Sequence, residues 1–274
     1  MRHKLLVMLL VVGASLVTQF QAHPQSSIPK ETATPVASSA SWISPPPLKL
    51  TAAVGERLDY LISWADYLIA ARVQLEVKQG STAPQREDLQ LHMQAQTVGV
   101  VRSIILALDD KFISYVDPQS VLPSKFEKHL RQGQRRVDST ITFDHKAQTA
   151  QVDEKSVPIE PETRDVVALL YYIRTLDLSP GKQYKLSAIF EDKPFIVLVS
   201  PEQKAVVETA KGPVEAIEIA LRSEEIQGWR KKINDDYRLR LWLSNDEKRA
   251  PVLITARPPF GEIKVRLAKP EPWA

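Results

Sequence analysis

From residue 57 onward the chain alternates apolar and polar side chains in short runs, the period of strands with one face on a core and the other in water. Leu58, Tyr60, Ile62 and Trp64 share one face of the first strand. A turn at Ala65-Asp66 leads to an antiparallel partner carrying Ala71, Val73, Leu75 and Val77. After a polar loop from Gly80 to Glu87, the alternation resumes with Leu89, Leu91, Met93 and Ala95, and past a break at Gly99 with Ile104, Leu106 and Leu108. Phe112, Ile113 and Tyr115 form a short strand ended by Asp117-Pro118, and residues 140–143 and 150–152 form a hairpin about Asp144-His145. Residues 184–190, 195–199, 205–209, 214–221, 239–243, 251–256 and 263–267 continue the pattern. Asp192-Lys193-Pro194 and Ser200-Pro201 are expected breaks, and 224–232 an expected connecting loop.

One segment follows the helical period instead. Between Thr163 and Leu176, Val166, Leu169, Leu170, Ile173 and Leu176 recur at helical spacing, Thr163 is a candidate cap, Asp165 sits near the positive end, and Pro180-Gly181 forbids continuation. About twelve short strands with one long helix predict a mainly β fold: an antiparallel curved sheet, an open or half barrel, with the helix covering one face. The expected organisation is a single β domain over 51–270.

The start of the chain has a different character. Arg2 and Lys4 precede the apolar run Leu5 to Val12, a secretory signal pattern too short for a comfortable membrane span. Ala22 marks an imperfect cleavage position, so residues 1–22 read as a signal peptide or an uncleaved anchor, and 23–50, with Pro24, Pro29, Pro35 and Pro45 to Pro47, as a disordered tether. Trp42 and Ile43 interrupt that tether, either docked on the body or simply part of the linker. These features imply export to the periplasm or the cell exterior. The chain lacks cysteine, which fits export as well as the cytosol. Two of the three net positive charges are Arg2 and Lys4, so the body is near neutral and offers no electrostatic case for nucleic-acid binding.

Several blocks, in order, resemble the DUF3108 family of exported bacterial proteins: residues 55–60 with Ser63-Trp64, residues 112–117 before Leu122-Pro123, and residues 165–174 leading to Pro180-Gly181. The run 241–246, followed by Arg249, Pro251-Val252 and Phe260-Gly261, closes the pattern. The chain departs from it after the first strand, where Asp66, Tyr67 and Leu68 stand in place of a small residue. The resemblance implies a curved antiparallel architecture similar to periplasmic lipoprotein carriers, and brings no established catalytic residues with it.

Candidate chemistry is sparse. A helix over a concave sheet could line a cavity for an acyl chain with Leu169, Leu170 and Ile173, with Tyr171 or Tyr172 near its mouth; the same residues equally make ordinary helix-on-sheet core. Arg174 either clamps an anion at the rim or pairs with a carboxylate such as Asp165 or Asp177. Lys125, Lys128, Arg131, Arg135 and Arg136 form a basic segment able to meet anionic lipid or envelope glycan, as a loop or as a strand with solvated charge, and Trp229 with Arg230 offers a second interface. His92, His129 and His145 are widely spaced with neither H-E-x-x-H nor clustered ligands, so no metal and no cofactor are expected. The adjacent pairs Asp109-Asp110 and Asp235-Asp236 would point to opposite faces of a strand, which does not place two carboxylates about a glycosidic bond. The reading that follows is a non-catalytic envelope protein that binds or carries an apolar or amphiphilic ligand, with lipid, lipoprotein or glycan as partner and peripheral membrane contact allowed. Its alternatives are a protein-interaction module of the envelope and an enzyme acting on cell-wall glycan.

Overall fold

The computed structural model describes residues 50–80, 88–210, 212–227, 230–258 and 261–270, with the backbone alone over 225–227 and 230–237. The signal-like start, the tether with Trp42 and Ile43, and Trp229 lie outside the described residues, as does the side chain of Arg230.

Fourteen antiparallel strands form one sheet among the described residues. They are β1 (Arg57–Trp64), β2 (Leu68–Gln79), β3 (Leu89–Thr97), β4 (Asp109–Val116), β5 (Pro123–Gln132), β6 (Arg135–Asp144), β7 (Thr149–Val152), β8 (Lys155–Pro158), β9 (Tyr184–Phe190), β10 (Lys193–Thr209), β11 (Gly212–Gln227), β12 (Arg230–Ser244), β13 (Pro251–Ala256) and β14 (Ile263–Leu267). The helix α1 (Val166–Ile173) falls between β8 and β9. Among the described residues the strand path begins in the middle of the sheet, where β1 pairs with β14 and Ile62 stands opposite Val265. It meanders out to β8, crosses through α1 to β9 at the far edge, and meanders back. The sheet is therefore curved but unclosed: β8 and β9 are its two edges, and α1 joins them. Part of the exposed edge of β9 is taken by a parallel bridge from Arg164 to Ala188.

Alternation buries one continuous core on the concave side. Tyr60, Ile62, Val73, Leu75, Leu91, Phe112, Phe126, Ile141, Val197, Ile219, Leu241 and Val265 contribute from successive strands, and all eight residues of α1 are buried in it. A smaller cluster of Val207, Ala216 and Val252, joined by Trp242 and Leu253, packs separately from it.

Several sequence expectations give way to tertiary context. Residues 104–108 do not extend a strand: Val101–Ile105 is a single π-helical turn, and Thr97 fixes it by donating to the Leu106 carbonyl (2.8 Å) and accepting from the Leu108 amide (2.9 Å). Ser200-Pro201 is no break; β10 runs through it with a bulge between Pro201 and Lys204, which a strand uses to absorb a proline. The supposed loop 224–232 is instead the far end of the β11–β12 hairpin, Gln227 facing Arg230. β8 was invisible in the pattern because Lys155–Pro158 carries one buried side chain, Val157. Trp64 keeps the β14 register of Tyr60 and Ile62, standing opposite Ile263, but at the end of β1 it is partly exposed. The basic segment is a strand over most of its length, as β5 and the start of β6.

Candidate functional site

The helix is held at both ends by buried polar groups. Its cap is Asp165, not Thr163: the Asp165 carboxylate accepts from the amides of Val167 (2.9 Å) and Ala168 (3.0 Å) and from the Ser114 hydroxyl of β4 (2.5 Å). Thr163 instead donates to the Glu160 carbonyl (2.6 Å) and lies against Ser187 Oγ. Complete burial pushes the Asp165 carboxyl up to about 6, against the pull of those hydrogen bonds. Beside it the Arg164 guanidinium donates to the carbonyls of Ser120 (2.9 Å), Val121 (3.2 Å) and Glu162 (2.9 Å) and lies 3.4 Å from the centre of the Tyr172 ring. Val121 adopts a φ of 54°, which a β-branched residue avoids, so the arginine fastens a strained loop to the start of the helix.

Arg174 closes the other end. Its side chain is fully buried and reaches neither Asp165 nor Asp177 but Glu56, with a two-pronged contact at 2.7 and 2.8 Å and a third bond to the Lys248 carbonyl (2.8 Å). Burial works against the charge, yet the Glu56 hydrogen bond and charge, together with Tyr171 and Tyr60, outweigh it and hold the guanidinium above its ordinary range. The ring of Tyr171 sits 4.9 Å from the guanidinium, and neither Arg174 Nε nor the Tyr171 hydroxyl has a hydrogen-bond partner among the described residues. Burial raises the Tyr171 hydroxyl well above the usual phenol range.

The structure thus gathers Leu169, Leu170, Tyr171, Tyr172, Ile173 and Arg174 in one buried unit, with the leucines and Ile173 packed into the main core. The basic segment is divided. Lys125 pairs with Glu127 (2.8 Å) and lies over the Tyr115 ring, while Arg131 binds Asp138 through two hydrogen bonds. Lys128 is buried between the core residues Phe126 and Leu130; its amine is 5.1 Å from the Phe190 ring centre and 3.8 Å from Glu191 at the opposite edge of the sheet. Burial lowers the Lys128 amine below its ordinary range, partly offset by Glu191. Arg135 and Arg136 are exposed at the β5–β6 turn. Sequence reasoning noted Glu56 as a charge that could face others but found none of the partnerships of Glu56, Arg164 and Ser114, since their partners lie 118, 44 and 51 positions away along the chain.

No three metal-ligating side chains gather among the described residues. A groove of about 160 Å³ lies between Asp59, Leu61, Arg72, Ala210 and Lys269. That is below the roughly 300 Å³ where sites for small organic ligands begin.

No curated protein matches the sequence. Among solved structures, the chain is similar to a β-barrel-like protein of the domain of unknown function DUF1849 from Brucella abortus, with a TM-score of 0.51 at 10% identity over 81% of this chain and 98% of that one. It is also similar to a protein from Bacteroides fragilis described as exported, with a YmcC-like fold (TM-score 0.35, 7% identity, 81% and 97% covered). A third, from Parabacteroides distasonis, is described as a lipoprotein (0.36, 7%, 80% and 95%). The first likeness shows the barrel-like fold, and residues 59–268 match the family profile of DUF3108, proteins of unknown function, so the chain belongs to that family.

Proposed function

We propose that this protein is a non-catalytic component of the cell envelope that binds or carries an apolar or amphiphilic molecule. One observation carries the reading: a long apolar concave face is wrapped by a sheet that stops short of closing, and the seam between β8 and β9 is spanned by side chains. Lys155 reaches Asp192 (2.7 Å) and Lys128 reaches Glu191 across it, with one short backbone bridge at Arg164. Parting this seam disturbs few backbone hydrogen bonds and uncovers core. The amine of Lys128, already among apolar residues, would meet an anionic head group there. The signal-like start supports an envelope location. Non-catalytic action is supported by the buried ionisable groups, which are spent on the chain's own atoms: Asp165 on a helix cap, Arg164 on loop carbonyls, Arg174 on Glu56.

A second reading has its own support. Every residue of α1 is buried, so the space beneath the helix is occupied by protein, as an envelope interaction module would have it. Native mass spectrometry of the full chain, purified gently from its own envelope, separates the two. An amphiphile of defined mass retained by the wild type and lost from Lys128→Ala supports carriage. No adduct, together with one dominant protein recovered by crosslinking in cells, replaces carriage with the interaction reading.

A further inference from the structure

The two ends of the barrel are chemically unlike. One end carries α1, the loops that clamp it and Leu50. The other carries the turn from β1 to β2, the connection from β3 to β4 and the turn from β5 to β6. Seven large apolar side chains are exposed among the described residues, and five of them, Trp64, Tyr67, Ile69, Val100 and Ile104, lie in the first two of those loops or on the strand ends that flank them. Tyr67 and Ile104 are 86% and 79% exposed. The two loops are neighbours, since the Val98 amide donates to the Ala70 carbonyl (3.0 Å).

These side chains are presented by a fixed frame. Thr97 ties the π-helical turn, and Arg102 binds both Asp109 oxygens at 3.2 and 3.1 Å. A Cβ on Gly261 would stand 2.6 Å from Trp64 Nε1, so this glycine leaves the room in which the indole lies against the β13–β14 connection. The charge around the patch is one-sided. Asp66, Asp109, Asp138 and Glu262 each already sit in an ion pair, with Lys264 and Arg266, Arg102, Arg131, and Arg257 respectively. Arg135 and Arg136, which form no ion pair among the described residues, lie two and three positions after Gly133, whose amide donates to the Ala107 carbonyl beside the patch (2.7 Å).

We propose that this rim docks on an anionic lipid bilayer. Tyr67, Ile104 and their neighbours enter the interfacial layer, where an amphipathic ring is well placed, and Arg135 and Arg136 rest on the lipid phosphates. With only a few apolar side chains and two unpaired cations the contact is reversible and weakens with salt. It is independent of whether the protein carries a guest.

The chain has no cysteine, so one introduced thiol gives a unique site for an environment-sensitive fluorophore. In the full chain, Ser103→Cys marks the rim and Gln119→Cys, exposed on the loop between β4 and β5, marks the helix end. With vesicles of phosphatidylcholine and phosphatidylglycerol, the rim probe should shift to the blue and the helix-end probe should not. Arg135→Glu/Arg136→Glu should weaken the vesicle titration at least tenfold, and Tyr67→Ser/Ile104→Ser should abolish the shift. These substitutions lie on exposed positions, and circular dichroism checks that the fold is kept. Equal shifts at both sites, as anchoring by the chain's apolar start alone would give, overturn the proposal. So does a shift that is indifferent to the arginines, or one that grows with protein concentration without vesicles, which would mark a second copy as the occupant.

Discussion

At the scale of single residues, burial turns two ionisable groups, Asp165 at the helix cap and His92 on β3, into opposing pH devices. Asp165 has its carboxyl raised from 3.8 to about 6 by burial, so between about pH 4 and 6 the native protein keeps a proton that the unfolded chain has released. Its contribution to stability falls as pH rises through that window, by about 3 kcal/mol at about 1.4 kcal/mol per unit. His92 runs the other way. Burial first, then Lys78 and Lys111, lower it from 6.5 to about 4, so its contribution is complete above 6.5 and fades as pH falls toward 4. Denaturant unfolding from pH 4 to 7 should therefore show a steeper rise of stability with pH in Asp165→Asn than in wild type, and a shallower one in His92→Gln. The pair at the other end gives a second prediction. Glu56→Gln leaves the Arg174 charge buried without its counter-charge and with one of its three hydrogen bonds lost, and should cost about 3 kcal/mol, whereas Glu56→Leu/Arg174→Met should recover much of that loss. A double-mutant cycle by urea unfolding measures the difference.

At the scale of elements, alternation in the sequence located most strands because burial on one face leaves a period of two, as in β2, where Ala71, Val73, Leu75 and Val77 are all buried. It failed where that signature is overridden. Pro201 reads as a stop but sits at a bulge, and Ile104 and Leu106 read as a strand but belong to a turn closed by the Thr97 hydroxyl. The helix was legible from its spacing, yet not its full burial, since Tyr171 and Tyr172 face arginines that come from its own flanks. The turn between β1 and β2 holds Ala65 at a φ of 51° and Asp66 at 66°. An alanine in this left-handed region costs about 1 kcal/mol, and asparagine tolerates it better. Ala65→Asn should raise the midpoint of thermal unfolding by a few degrees, read by calorimetry.

At the scale of the whole molecule, a strand path that starts mid-sheet and returns to its first strand leaves the two edges of the described sheet facing one another across the helix. The curved sheet and its cover could be foreseen, because both follow from local periodicity. The seam could not: it is defined by contacts such as Lys155 with Asp192, 37 positions apart, and by the pairing of β1 with β14. The apolar rim also escaped notice, since Tyr67 and Ile104 look like core residues until the turns that expose them are placed. Amide exchange should find β7 and β8, four residues each, protected for the shortest time, and the central strands β1, β2 and β14 for the longest. The central claim is that this seam admits an apolar guest to the concave face. Its most direct test is uptake of a fluorescent acyl probe by the chain carrying Lys155→Cys and Asp192→Cys, before and after the thiols are joined by a short cleavable linker. Saturable uptake that disappears on linking and returns on cleavage is the predicted result, and uptake that is absent throughout or unchanged by the linker would contradict it.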